Sequence, residues 1–97
     1  MICIKLADHV GTFAENKDLA RDLRLNKIIP ALEQGDEVIL DFTNISSATQ
    51  SFIHALISDL IRKFGIDILD HISFKACNET IKKIINIVIN YMQESES

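Results

Sequence analysis

The sequence predicts an α/β domain in which strands and helices alternate, β-α-β-α-β-α, around a mainly parallel sheet. Three observations predict it. Val38, Ile39, Leu40 and Phe42 form a short apolar run behind the turn signal Gly35-Asp36, as a strand in the middle of a sheet should. Ile2, Ile4 and Leu6 alternate with Cys3 and Lys5, and Ile72 and Phe74 alternate with Ser73 and Lys75, the pattern of half-buried strands. Between and after them lie stretches with apolar residues at helical spacing, the clearest running from Phe52 to Phe64.

Taken in order, the first strand covers Ile2 to Leu6. Ala7 to Glu15 is weakly patterned, and His9, Gly11 and Thr12 suggest a loop or a second short extended piece. Helix one starts near Asn16, a good N-cap residue, and carries Leu19, Leu23, Ile28, Ile29 and Leu32 on one face. Pro30 lacks a backbone donor and should kink this helix or split it near Asn26. Gly35 ends it. The central strand follows over 37–42.

Helix two runs over 50–64. Its stripe is Phe52, Ile53, Leu56, Ile57, Leu60, Ile61 and Phe64, with His54, Ser58, Asp59, Arg62 and Lys63 opposite. Gly65 supplies its C′ position, and Ile66 to Asp70 is a connector that should pack down. The third strand holds Ile72 and Phe74. Asn78 caps helix three, 79–92, whose stripe is Ile81, Ile84, Ile85, Val88 and Met92. Ile87, Ile89 and Tyr91 lie off that stripe, so this helix should be buried on more than one side, under the connector or in a homodimer. Residues 93–97 read as a frayed polar tail, and 1–97 as a single domain.

The β-α-β order implies parallel strands. The continuously apolar strand belongs in the middle, giving the order 1-2-3. Right-handed crossovers moving in one direction place the helices mostly on one face of the sheet. The other face is then partly open, or covered by a partner.

Composition excludes several functions. A net charge of −4 and a single Tyr with no Trp argue against a nucleic-acid binder, which needs clustered cations and stacking platforms. No apolar run approaches the roughly 18 residues of a membrane span. Met1 to Lys5 lacks the form of a signal peptide, so a cytoplasmic protein is the default. Cys3 and Cys77 are too isolated for a metal site and read as buried or half-buried thiols. The three histidines and the Asp67/Asp70 pair form no metal motif. With glycines only at 11, 35 and 65, no phosphate-cradling loop exists, and no cofactor is implied.

The stretch Asp41 to Ser51 is the candidate site, because loops at the carboxyl ends of strands that feed helix N-termini are where α/β proteins place their chemistry. Asp41 should accept N–H bonds from the following loop, since an unpaired carboxylate at a buried strand end is costly. Ser46, Ser47 or Thr49 should cap helix two. Thr43, Asn44, Gln50 and His54 complete the polar set. Two readings follow. In one, the loop and helix 50–64 bind a protein partner. In the other, a small enzyme or ligand-binding protein uses the same loop for a phosphate or carboxylate. His54 lies three residues after Ser51, where the two side chains can meet, but no orienting third group or oxyanion site accompanies them. No catalytic residue is assigned.

The stretch LDFTNISSATQSFIHAL, followed by HISFKACNETIKKII, resembles the STAS-like family of unknown function found in bacteria and their mobile elements. The shared features are Asp41-Phe42 closing a strand, Thr49-Gln50-Ser51-Phe52 leading into a helix, and Phe74 to Asn78 leading into the last helix. Asn16-Lys17 stands where many relatives carry an Arg. The STAS fold is shared with anti-sigma factor antagonists, in which a Ser at the start of the equivalent helix is phosphorylated by a kinase of the histidine-kinase-like ATPase type. Counted from Asp41, the place of that Ser falls on Ser51. Thr49 stands where those proteins carry Asp, and Phe52 replaces their Gly. The resemblance implies a non-enzymatic regulatory module, with such an ATPase as partner and Ser51 as phosphoacceptor.

Overall fold

The computed structural model describes residues 1–96. Its elements are β1 (Ile2–Lys5), α1 (Ala7–Val10), β2 (Phe13–Ala14), α2 (Lys17–Leu23), a π-helical segment (Arg24–Ile28), α3 (Ile29–Glu33), β3 (Val38–Asp41), β4 (Ser47–Ala48), α4 (Gln50–Phe64), a 3₁₀ segment (Ile66–His71), β5 (Ile72–Lys75) and α5 (Glu79–Glu96). β1, β3 and β5 form a parallel sheet with β3 in the middle, which is the order the apolar pattern predicts. α5 runs four residues past Met92, and Ser97 lies outside the described residues.

Register decides what each face carries. Ile2, Val38 and Ile72 stand abreast, as do Ile4, Leu40 and Phe74. These rows join the core built from the inner faces of α2, α4 and α5. The alternate rows are Cys3, Ile39, Ser73 and then Lys5, Asp41, Lys75. Cys3, Lys5, Ser73 and Lys75 are exposed, so that face of the sheet is open in this chain. Cys3 is therefore not the buried or half-buried thiol expected. As an odd-numbered residue of β1 it points to the open face. Cys77 is half-buried.

Pro30 acts as expected, by a specific route. In a regular helix its ring would press on the carbonyl of Asn26. The chain widens instead, and Ile29 donates to the Arg24 carbonyl one residue further back than in an α-helix. Asn16 caps α2, its side chain accepting from the N–H groups of Asp18 at 2.9 Å and Leu19 at 3.3 Å. Gly35, with φ of 85°, takes the left-handed turn that ends α3.

One feature differs from the sequence reading, and one of the two covers expected for α5, the connector, is removed. The weakly patterned segment 7–15 contains α1 and β2, and β2 pairs in parallel with β4, inside what reads as a polar loop. Two-residue strands carry no periodicity to detect. On α5, Ile81, Ile85, Val88 and Met92 are buried and Ile84 and Ile89 half-buried, but Ile87 and Tyr91 are 49% and 55% exposed. The connector does not cover them, because it packs on α4 and β5 instead.

Candidate functional site

Asp41 ends β3 at the carboxyl edge of the sheet, between Lys5 of β1 and Lys75 of β5. Its residue surface is 5% exposed. One carboxylate oxygen accepts both the N–H of Thr43 at 2.9 Å and its hydroxyl at 2.6 Å. This is the short-range turn that Asp favours, and Asn44 follows it with φ of 69°. The Thr43 hydroxyl and then its N–H hold the Asp41 carboxyl below the ordinary 3.8. Burial opposes them, and the charges of Lys75 and Lys5 add to them. A cleft of about 350 Å³ opens here, lined by Lys5, Asp8, Asp41, Thr43, Asn44 and Lys75.

The middle of the candidate stretch is structural. Ile45 and Ala48 are buried. The Ser46 N–H and hydroxyl both donate to the Thr12 carbonyl, at 2.8 and 3.0 Å. The Thr49 N–H donates to the Ala14 carbonyl at 2.9 Å. The Asn78 side chain donates to the Ser46 carbonyl at 2.9 Å and accepts the Ile81 N–H at 2.9 Å, so it caps α5 while tying it to the loop. Ser46 and Ser47 thus fasten the segment through the β2–β4 pair.

At the far end, Thr49 caps α4, its hydroxyl oxygen accepting the Phe52 N–H at 3.1 Å. Ser51 is exposed and Phe52 wholly buried. Gln50, Ser51, His54 and Ala55 of α4, with Lys17 of α2, line a shallow cavity of about 550 Å³. Lys17 is the first residue of α2. His54 does not pair with Ser51. Its Nδ1 lies 3.3 Å from the Ser58 hydroxyl, and its ring tilts against Tyr91 of α5 at 6.1 Å between centroids. Ser58, read from sequence as solvent-facing, is buried, because α4 is flanked by both α2 and α5.

Arg24 gives no signal in the sequence. The π-helical segment turns it beneath α4, where one guanidinium nitrogen donates to the Ala55 carbonyl and another lies 3.1 Å from the Asp59 carboxylate. It forms the floor of a groove with Lys17, Arg21, Asp59 and Arg62 along its rim. Lys5 and Lys75 enter the sequence reading only as polar alternates of the outer strands, not as site residues. Each is the last residue of an observed strand, β1 or β5, and parallel register sets both beside Asp41.

The candidate stretch therefore serves two surfaces. Asp41, Thr43 and Asn44 belong to the strand-end cleft. Gln50, Ser51 and His54 belong to the helical face. Among the described residues no three His, Cys, Asp or Glu side chains gather as a metal site, and no helix is long and apolar enough to cross a membrane.

A parallel three-stranded sheet with its long helices packed on one face, and polar residues at the strand ends and a helix start, defines a small STAS-like α/β domain. Residues 20–82 match the family described as STAS-like domain of unknown function (DUF4325), and the chain belongs to that family. No curated protein and no solved structure matches the chain.

Proposed function

We propose that the protein is a non-enzymatic regulatory module that binds a protein partner through the helical surface around Ser51, with Ser51 as phosphoacceptor for a serine kinase of the histidine-kinase-like ATPase type. The observation that carries this reading is the outward position of Ser51 at the second residue of α4, beside a wholly buried Phe52. Thr49 already caps the helix, so the Ser51 hydroxyl has no structural duty. A phosphate there faces free N–H groups and the positive end of the helix dipole, with Lys17 across the same shallow cavity. The added charge falls on the surface, where it changes what a partner meets while the core stays as it is. Exposed Ile87, and Tyr91 against His54, supply apolar area on a neighbouring helix for such a partner.

The test is incubation with a histidine-kinase-like ATPase encoded beside this chain, with ATP, read by intact mass. One added phosphate on the wild type and none on Ser51→Ala is the expected result. No added phosphate on the wild type ends the switch reading.

A second reading rests on one observation, the two ammonium groups in register on either side of Asp41. The strand-end cleft is then a site for a small phosphate or carboxylate ligand. Titration with inorganic phosphate and with acetate, followed at the Thr43 and Asn44 amides by NMR, should give saturable shifts that Lys5→Ala and Lys75→Ala reduce. Shifts that rise linearly, or that survive both substitutions, exclude it.

A further inference from the structure

A groove of about 510 Å³ runs beside β1. It touches four consecutive residues, Ile2 to Lys5. Successive strand side chains point to opposite faces, so a cavity that meets all four lies against the edge of the strand. Its other wall is Asn26, Lys27, Pro30, Ala31 and Gln34, one side of the π-helical segment, α3 and its C-cap residue at helical spacing. The two walls match in length. Four strand residues extend about 13 Å, and the helical wall extends about 12 Å.

β1 is an edge strand, with β3 on one side only. Ile2 donates to the Glu37 carbonyl at 2.8 Å and Leu6 to the Asp41 carbonyl at 3.0 Å. The even-numbered residues therefore turn their backbone groups toward β3. The N–H and C=O groups of Cys3 and Lys5 turn outward, into the groove, and among the described residues nothing pairs with them there. Unpaired strand edges are templates for another strand, and an edge walled by a helix receives an extended peptide by adding it to the sheet.

We propose that this groove receives an extended acidic peptide of a partner protein, which adds to β1 as a fourth strand. The charge selects the peptide. Lys5 on the strand and Lys27 on the helix face the groove against one carboxylate, Asp8, in a molecule whose net charge is −4. Pro30 and Ala31 offer an apolar wall to alternate peptide side chains, and the amides of Asn26 and Gln34 offer donors at its two ends. A second copy of the chain fits poorly. Its β1 would bring the same overhanging helix and the same lysines into the space they must share. The proposal is independent of phosphorylation at Ser51.

The probe is a short capped fluorescent peptide of alternating valine and glutamate, compared with its valine–lysine counterpart. The acidic peptide should bind saturably, more weakly at high salt, and the basic one should not. Binding should protect the Cys3 and Lys5 amides from hydrogen exchange. Cys3→Pro removes an N–H aimed at the groove and leaves the β3 ladder whole, since Pro is tolerated on an edge strand with that side outward. It should weaken binding roughly tenfold or more. Lys27→Glu should weaken the acidic peptide alone. Should Cys3→Pro fail to fold, N-methylation of the alternate peptide amides that face β1 tests the same bonds on the wild-type protein. No saturable binding of the acidic peptide, equal binding of both peptides, or protection that spares Cys3 and Lys5 overturns the proposal. So does sedimentation showing a dimer that Cys3→Pro dissolves.

Discussion

Asp41 and Ser51 stand at the two ends of one polar stretch and have opposite relations to the fold. Asp41 is nearly enclosed, and one of its oxygens holds the turn that follows β3. Ser51 is open to solvent and holds nothing, because Thr49 two residues earlier supplies the cap. Both are small polar residues that flank a loop rich in their kind. The difference comes from the direction of the chain. Asp41 is the last residue of a strand whose next residues must turn, so its carboxylate finds N–H and O–H donors within its own reach. Ser51 lies one residue before the inward-facing Phe52, and helical phase sends it outward. A loop residue is free for function when a neighbour has already satisfied the local backbone.

The largest effect should come from Phe52, which fixes the phase that exposes Ser51. Phe52→Ala should cost about 3–5 kcal/mol, as truncation of a fully buried aromatic does, measured by urea denaturation. A cost under about 1 kcal/mol would mean that α4 turns its other side to the core, and the comparison would fail.

Thr49→Ala tests which residue caps α4. It should cost about 1 kcal/mol, while Ser51→Ala should leave the denaturation midpoint within the error of the measurement. Equal costs for the two would show that the capping is shared.

Asp41→Asn should lower stability at neutral pH by less than Phe52→Ala, and the effect should depend on pH. The folded carboxyl titrates below its ordinary 3.8. Its contribution is therefore complete above that value and is lost as pH falls through the lower, folded value. Thermal melts of wild type and Asp41→Asn should stay apart from neutral pH down to about pH 5 and converge below about pH 4. A gap that persists unchanged to pH 2 would show that the charge of Asp41 is not what holds the turn.

Ser51→Asp should have the smallest effect on stability, within about 0.5 kcal/mol of wild type, because it adds charge at an exposed helix N-terminus. The same substitution should weaken association with a regulatory partner. A loss of several kcal/mol in the melt would place Ser51 in a buried setting and remove the contrast with Asp41.

Much of the fold is legible in the sequence. α4 spans the residues its apolar stripe and its flanking Thr49 and Gly65 predict. β3 lies between β1 and β5 because its apolar run suits a central position. Asp41 bonds to the following loop as the cost of a bare carboxylate demands. The site is less legible. Ser46 and Ser47 look like Ser51 in the sequence, yet they fasten β4 to β2. Ser58 looks solvated, yet it is covered because helices pack on both flanks of α4. Arg24 looks like any surface Arg, until the widened helix before Pro30 turns it inward.

The sequence by itself determined the three strands of the main sheet, the long helices, their order and the apolar side that each buries, but not the short α1, β2 and β4. Those properties are set by side-chain periods of two and 3.6 residues and by caps and breakers within a few positions. Tertiary structure alone decided which distant residues share a surface. Lys5, Asp41 and Lys75 meet because three parallel strands end in register. Lys17 meets Ser51 because α2 packs beside α4. The free edge of β1 becomes a groove because a helix that follows it by some twenty residues returns to wall it in. Adjacency of this kind depends on register and on the path of the crossovers, which no local pattern of residues records.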